Sequence, residues 1–210
     1  MEPSVIGKKY NKVADWWNER HLNSEYGMKQ IRRAISYCNS KRVALDVGCG
    51  AGGRIIHELE NNGFEVEGFD VSPRMVELAR ANHPRFTFEV DDITNIERDS
   101  LYDFIIAWDS TFHLPESSQA IAINNMCSLL ETEGILVYTL GDMEGDFEDN
   151  SFSDGQGGQY GDLENDAFGY GSLGITKNLE LLITNGCKLM HLELDQYPDK
   201  HAYIIAKKIS

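Results

Sequence analysis

Val43-Ala-Leu-Asp-Val-Gly-Cys-Gly-Ala-Gly-Gly53 is an apolar run that passes into four closely spaced glycines. The run Val43–Val47 precedes an amphipathic segment, Arg54–Asn61, so the whole stretch predicts a buried strand, a tight turn and a helix. Glycines at such a turn let another molecule approach the backbone closely, and the start of the helix offers free N–H groups. We therefore predict that a nucleotide-like ligand binds at this turn.

The same strand, turn and helix pattern recurs along the chain. Phe64–Phe69 predicts a second strand, and Pro73–Ala81 predicts a helix with proline at its favoured first position. Further strands are predicted at Phe86–Val90, Phe104–Trp108 and Ile135–Leu140, with a helix around Ala120–Leu130. This alternation predicts βαβ units on a parallel, doubly wound sheet.

The two ends of the chain differ from this pattern. Apolar residues at helical spacing predict two amphipathic helices within residues 1–40. Lys188–Leu194 and His201–Lys208 predict an antiparallel hairpin that closes the sheet, with a turn at residues 197–199. Residues 141–175 are Gly-rich, acidic and poor in aliphatic side chains, so they predict a long surface insertion in a single domain.

Composition excludes several classes of protein. No apolar run reaches the roughly 18 residues of a membrane span, and the first residues do not resemble a secretory signal, so we expect a cytoplasmic protein. The cysteines are too far apart to predict a disulfide framework, and no metal site is expected; they are Cys38, Cys49, Cys127 and Cys187.

The net charge of −15 is concentrated in one part of the chain. Between Arg98 and Lys177 there is no Lys or Arg but there are 15 of the 34 acidic residues, so the rest of the chain has 19 acids and 19 bases. Such a surface repels phosphate backbones and anionic lipid, which argues against nucleic acid or membrane as a partner. A solvated acidic face that maintains solubility is the alternative explanation.

Glycine spacing alone leaves two ligands open. Gly48, Gly50 and Gly53 also satisfy the GxGxxG pattern of dinucleotide-binding dehydrogenases. Asp46, however, places a carboxylate where a cationic ligand group could sit, whereas it would repel a pyrophosphate. Asp70, at the end of the second strand, can accept hydrogen bonds from two ribose hydroxyls.

These motifs resemble those of the class I S-adenosylmethionine-dependent methyltransferases. The matching stretches are Asp46-Val-Gly-Cys-Gly-Ala-Gly52, Gly68-Phe-Asp-Val-Ser-Pro-Arg-Met75, Phe88-Glu-Val-Asp-Asp-Ile93 and Tyr102-Asp-Phe-Ile-Ile-Ala-Trp-Asp109. The resemblance implies a Rossmann-like seven-stranded sheet with an antiparallel C-terminal strand and helices on both faces. It also implies that S-adenosylmethionine is the methyl donor and S-adenosylhomocysteine the product.

The resemblance also assigns residues to the cofactor. Gly48 and Gly50, with the small Cys49 between them, would approach its amino acid part, near Asp46, and Asp70 would bind the ribose. Residues expected around the adenine are Val71, Met75, Asp92, Ile93, Ala107 and Trp108. Core packing is an equally good interpretation of Met75.

Catalytic and lid residues are predicted on either side of this pocket. Asp109 and His113, after the fourth strand, are candidates for a general base, although a structural role suits each of them as well. Tyr10 and Trp17 resemble residues of an N-terminal helix that covers the cofactor in relatives, with core packing as the alternative.

The acceptor is expected to be a small molecule. A cationic or amine acceptor would suit the acidic insertion, whose aromatic residues are Phe152, Tyr160, Phe168 and Tyr170. The sequence leaves a monomer or a homodimer open. A nicotinamide-dependent oxidoreductase and a non-catalytic S-adenosylmethionine-binding protein are the alternative functions.

Overall fold

The computed structural model describes residues 2–141, 144–149, 168–195 and 201–209. Its helices are α1 (Pro3–His21), α2 (Met28–Ser36), α3 (Arg54–Asn61), α4 (Pro73–Asn82), α5 (Glu116–Ser128) and α6 (Gly174–Thr184), with a short 3-10 turn at Thr111–His113. Its strands are β1 (Val43–Val47), β2 (Glu65–Asp70), β3 (Thr87–Val90), β4 (Tyr102–Ala107), β5 (Leu130–Gly141), β6 (Glu144–Asp149), β7 (Phe168–Leu173), β8 (Cys187–Asp195) and β9 (His201–Lys208).

A seven-stranded sheet of order β3-β2-β1-β4-β5-β9-β8 forms the centre of the fold. β1 to β5 pair in parallel, while β9 runs antiparallel to both β5 and β8. The predicted doubly wound sheet with an antiparallel C-terminal strand is therefore confirmed. The strand order reverses between β1 and β4, and in such sheets ligands bind in the crevice at the carboxyl ends of these strands.

Helices pack on both faces because alternate residues of each strand point to opposite sides. Leu45 and Ile105 face α5 and α6, where Ile123 and Leu182 complete one apolar core. The neighbouring residues of the same strands, Ala44 and Phe104 among them, form the second core with α2, α3 and α4. Both faces of the sheet are therefore covered, as parallel sheets require.

Several element boundaries differ from the predictions. β5 begins at Leu130, which pairs with Tyr102 across a register shift, so the strand is longer than its apolar part, residues 135–140. α5 begins directly after Pro115, earlier than the sequence pattern indicated. α6 was not predicted, because no side chain caps its N-terminus and its start lies in the Gly-rich stretch.

The predicted insertion at residues 141–175 contains a two-stranded antiparallel pair, β6 and β7. Backbone pairing defines these strands, and the sequence has no apolar alternation there that would have indicated them. Residues 142–143 and 150–167, including Phe152 and Tyr160, lie outside the described residues, as does the turn predicted at residues 197–199.

Two further expectations concern cysteines and membranes. The four cysteines are all buried and unpaired; Cys127 and Cys187 approach each other, with their sulfur atoms 3.8 Å apart. Among the described residues, no helix combines the length and apolarity needed to cross a bilayer.

Candidate cofactor and active site

A cleft lies at the carboxyl ends of β1, β2 and β4, beneath α1, with an empty volume of about 1090 Å³ that includes space open to solvent. Most of the predicted site residues line it. They are Tyr10, Trp17, Gly48, Cys49, Gly50, Asp70, Val71, Met75, Asp92, Ile93, Trp108, Asp109 and His113. The fold therefore brings together predicted site residues that are up to 103 positions apart in the sequence.

The glycine turn after β1 has the backbone conformation that its sequence requires. Gly48 and Gly50 have φ angles of 72° and 53°, in the left-handed region that side chains disfavour. A Cβ on Gly48 would lie 2.4 Å from the Cβ of Ser110, whereas a Cβ on Gly50 would meet only Trp17 and Met75, at 3.6 Å and 4.0 Å. Gly48 is thus needed for packing, and Gly50 keeps the backbone open to the cleft.

Asp70 connects the turn to the end of β2. Its carboxylate accepts hydrogen bonds from the backbone N–H groups of Gly50 (2.9 Å) and Ser72 (2.8 Å). Burial raises the pKa of Asp70 to about 6, against the lowering effect of these two hydrogen bonds. A carboxylate has about four acceptor sites, so Asp70 retains capacity for ligand hydroxyls.

Asp46 lies beneath the turn rather than on the cleft wall. The residue is 2% exposed, and its Oδ2 atom is buried without a hydrogen-bond partner among the described residues. Burial and the nearby Asp70 raise the pKa of Asp46 to about 7, while Arg54 lowers it. An unsatisfied buried carboxylate is costly, so a cationic ligand group at the turn would stabilise its charged form.

The predicted adenine residues fall into two groups. Asp92 and Ile93 line the cleft after β3, where the Asp92 Oδ1 atom accepts hydrogen bonds from the N–H and hydroxyl of Thr94, both at 2.9 Å. Ala107, by contrast, is not among the lining residues. It is fully buried in the core shared with α5, because its side chain points to the opposite face from Trp108.

Met75 and Cys49 are mainly packing residues. Met75 is 1% exposed and packs against Ala14 and Ala51, so its side chain serves the core and the cleft wall together. Burial raises the pKa of the Cys49 thiol well above its ordinary value, which keeps it protonated and unreactive.

Tyr10 and His113 meet in the cleft although one belongs to α1 and the other to the turn after β4. The Tyr10 hydroxyl lies 2.6 Å from Nε2 of His113, and the Tyr170 ring is 5.1 Å from the imidazole. Burial raises the pKa of Tyr10 well above its ordinary value. The phenol is therefore neutral, and its hydroxyl can donate to Nε2 or accept from it, according to the tautomer of His113.

Asp109 is held in a different network. It adopts a positive φ of 52°, its N–H donates to the Thr139 hydroxyl at 2.8 Å, and its Oδ1 lies 3.0 Å from Nε2 of His201. The other nitrogen of His201 bonds to Asp195. Burial alone would lower the pKa of His201, but the hydrogen bonds to Asp109 and Asp195 raise it to about 9. His201 is thus charged at neutral pH and pairs with both carboxylates.

Sequence reasoning missed three polar residues at or beside the cleft. Arg54 and His21 line it: the Arg54 Nε donates to the carbonyl of Tyr26 at 2.6 Å, and the His21 ring stacks on Trp17 with centroids 3.9 Å apart. Arg54 directly follows the glycine turn as the first residue of α3, a signal that could have been noticed. His201 comes from β9, and no local motif indicates its position.

Residues 44–134 match the family model of a methyltransferase domain, which spans β1 to the first part of β5 and the glycine turn. The match covers less than half of the chain and supports the resemblance to the class I S-adenosylmethionine-dependent methyltransferases. Ubiquinone biosynthesis O-methyltransferase of Rickettsia typhi is 30% identical to this chain over 148 residues, which are 63% of the chain and 58% of that relative. The chain therefore spans less than two thirds of the relative's length.

Solved structures share the fold of this chain at low sequence identity. Magnesium protoporphyrin IX methyltransferase of Synechocystis PCC 6803, solved with bound S-adenosylmethionine, superposes with a TM-score of 0.70 at 17% identity and covers 99% of this chain and 98% of its own. The CcbJ methyltransferase of Streptomyces caelestis gives a TM-score of 0.71 at 16% identity over 100% of both chains. These similarities extend the fold assignment to the regions outside residues 44–134.

Proposed function

We propose that this chain transfers a methyl group from S-adenosylmethionine to a small-molecule acceptor. The observation that carries the proposal is the single cleft in which Gly50, Asp70 and Ile93 meet at the ends of β1, β2 and β3. These residues follow three neighbouring strands, where S-adenosylmethionine would need a close backbone approach for its amino acid part, an acceptor for its ribose and an apolar wall for its adenine.

The residues fit the cofactor on several independent observations. A Cβ on Gly50 would project toward Trp17 and Met75, where a ligand needs room, so glycine keeps that space open. The Oδ2 atom of Asp46 has no hydrogen-bond partner among the described residues, so the carboxylate can offer a negative charge to a cationic group at the turn. When bound, S-adenosylmethionine supplies a methyl group already activated on a positively charged sulfur. The protein then mainly has to orient the acceptor and exclude water.

We assign the general base to His113, with Tyr10 as its partner. In the tautomer with the proton on Nδ1, Tyr10 donates to Nε2, so a proton that leaves an acceptor hydroxyl or ammonium passes to the Tyr10 oxygen while the phenol proton moves to Nε2 of His113. Because Tyr10 lies on α1, the helix that we expect to act as a lid also completes the proton-accepting pair. This assignment favours the lid role of α1 over pure core packing.

Asp109 suits a supporting role better than that of a base. Its carboxylate pairs with the charged His201 at 3.0 Å, so taking up a proton would break a buried ion pair. The strained backbone at Asp109 and its bond to Thr139 fix the wall of the cleft next to Trp108.

A small acceptor is supported by the shape of the site and by relatives. The cleft is partly enclosed by α1, and a relative with 30% identity is named for methylation in ubiquinone biosynthesis. Within this proposal the acceptor is an amine or another cation, because the acidic segment at residues 141–175 would attract a positive charge.

Calorimetric titration with S-adenosylmethionine, S-adenosylhomocysteine and NAD tests the cofactor. We expect 1:1 binding of the first two and none of NAD; binding of NAD alone would support the oxidoreductase and overturn the proposal. An acceptor screen that measures release of S-adenosylhomocysteine then tests turnover. Cofactor binding without turnover on any hydroxyl, amine or carboxylate acceptor would leave the non-catalytic binding protein as the better interpretation.

A further inference from the structure

A second group of chemically active side chains lies outside the cleft, on the far side of the glycine turn. His57 and Glu60 belong to α3, and His83 directly follows α4. One ligand atom from each of the three lies within 4.8 Å of the other two, and the two imidazole rings are 4.5 Å apart. None of the three lines the cleft, so the proposed methyl transfer gives them no role.

The helix explains why two of these residues are neighbours. His57 and Glu60 are three residues apart, which places them on the same face of α3 about one turn from each other. His57 is exposed and Glu60 is half-buried, whereas His83 is 3% exposed. An ion could therefore reach the site from solvent on the side of the exposed His57 and bind the buried His83.

His83 is already oriented as a metal ligand would be. Its Nε2 atom bonds to the carbonyl oxygen of Gly52, and a carbonyl can only accept, so this nitrogen carries the proton. The lone pair is then on Nδ1. Histidines that bind metals generally donate their other N–H to a carbonyl or carboxylate in this way, which fixes the ring and its tautomer.

The charges of the group also suit a cation. The Glu60 carboxylate brings a negative charge close to the two imidazole rings. Glu60 pairs with Arg85 at 3.1 Å, but the side chain of Arg85 is 62% exposed, so this ion pair is easily replaced.

We propose that His57, Glu60 and His83 bind a divalent first-row transition cation of the Zn²⁺ class. Two imidazoles and one carboxylate are a known three-residue donor set for Zn²⁺, with water in the fourth position. Mg²⁺ and Ca²⁺ prefer oxygen ligands and are not expected to bind here. Composition predicted no metal site, because that reasoning relied on cysteines, and the sequence does not reveal that position 83 folds against α3.

The test uses the full chain after removal of metal with a chelator. Titration with Zn²⁺ in a calorimeter and with Co²⁺ by visible absorption should give one saturable site. His57→Gln and Glu60→Gln should each weaken binding by at least about tenfold, since even loss of an outer-shell partner costs that much. Arg85→Gln should strengthen binding, because it removes the cation that competes for Glu60.

His191→Gln is the matched control, because it removes a partly exposed imidazole that lies elsewhere and pairs with Glu193. It should leave affinity and the Co²⁺ spectrum unchanged. His57 is exposed, so His57→Gln should keep the circular dichroism spectrum and the cofactor affinity of the wild type. Absence of a saturable site, unchanged affinity in His57→Gln, or equal loss in His191→Gln would each overturn the proposal, as would equally tight binding of Mg²⁺.

Discussion

Replacing Asp70 with alanine tests the ribose assignment most directly. The substitution removes a buried carboxylate that accepts two backbone hydrogen bonds, at 2.9 Å and 2.8 Å, and that has acceptor capacity left for ligand hydroxyls. Losing a charged acceptor should weaken cofactor binding by about 1–3 kcal/mol, which is about 5- to 140-fold in Kd. The assay is calorimetric titration with S-adenosylhomocysteine at pH 8, where the wild-type carboxylate, with a pKa of about 6, is ionised.

Asp70→Ala also removes the two backbone hydrogen bonds that hold the glycine turn, so a loss of affinity could come from a loosened turn. Asp103 offers a matched control for this structural effect. Asp103 is 4% exposed and accepts backbone hydrogen bonds from Arg42 and Val43 at 3.0 Å and 3.1 Å, but it lies at the amino end of β4, away from the cleft. Asp103→Ala should therefore lower the free energy of unfolding, measured with urea, without changing cofactor affinity. Unchanged affinity in Asp70→Ala, or the same affinity loss in both variants, would refute the ribose role.

Three further predictions concern the titratable residues. His113→Gln should lower kcat by about 100-fold or more with little change in cofactor Kd, as expected for loss of a general base; a similar change in Kd alone would contradict that role. Binding of S-adenosylmethionine should tighten as the pH rises from about 5 to 8, because Asp70 and Asp46, with pKa values of about 6 and 7, both become charged in this range, and Asp46→Asn should remove the part of the profile near pH 7. The pKa of His201 is about 9 when folded and returns to its ordinary value of 6.5 on unfolding, so its ion pairs contribute up to about 3 kcal/mol below pH 6.5 and lose it as the pH rises to 9. His201→Gln should remove that part of the pH dependence of urea unfolding, and an unchanged profile would show that the ion pair with Asp109 does not stabilise the fold.

The sequence was most informative where local patterns coincide with the fold. The glycine turn and the acids at strand ends could be predicted because each depends on residue types within a few positions of one another. An apolar run indicates the buried strand, glycine indicates the positive φ, and aspartate supplies the carboxylate. Ala107 was expected beside the adenine and Asp46 near the amino acid part of the cofactor, but β1 and β4 bury both side chains and neither lines the cleft. The direction of a side chain depends on register, which a short motif does not reveal.

The remaining misses come from contacts between distant parts of the chain. His201 reaches Asp109 only because β9 inserts between β5 and β8, and this strand order has no counterpart in the local sequence. The β6–β7 pair escaped prediction for a related reason, since mutual backbone hydrogen bonds hold it together rather than an apolar pattern. Long-range pairing therefore set the limit of what could be predicted for the site as well as for the sheet.

The two candidate bases differ in what their partners allow them to do. Asp109 pairs with the charged imidazole of His201, which also pairs with Asp195. The negative charge of Asp109 therefore stabilises this ion pair at the cleft wall. His113 faces a neutral phenol, so a proton arriving on its ring meets no neighbouring positive charge from that partner. Because the phenol is Tyr10 of α1, the proton acceptor is complete only when that helix covers the cleft. Under the proposed function, exclusion of water and assembly of the base are therefore one event, since the same contact between α1 and the turn after β4 produces both.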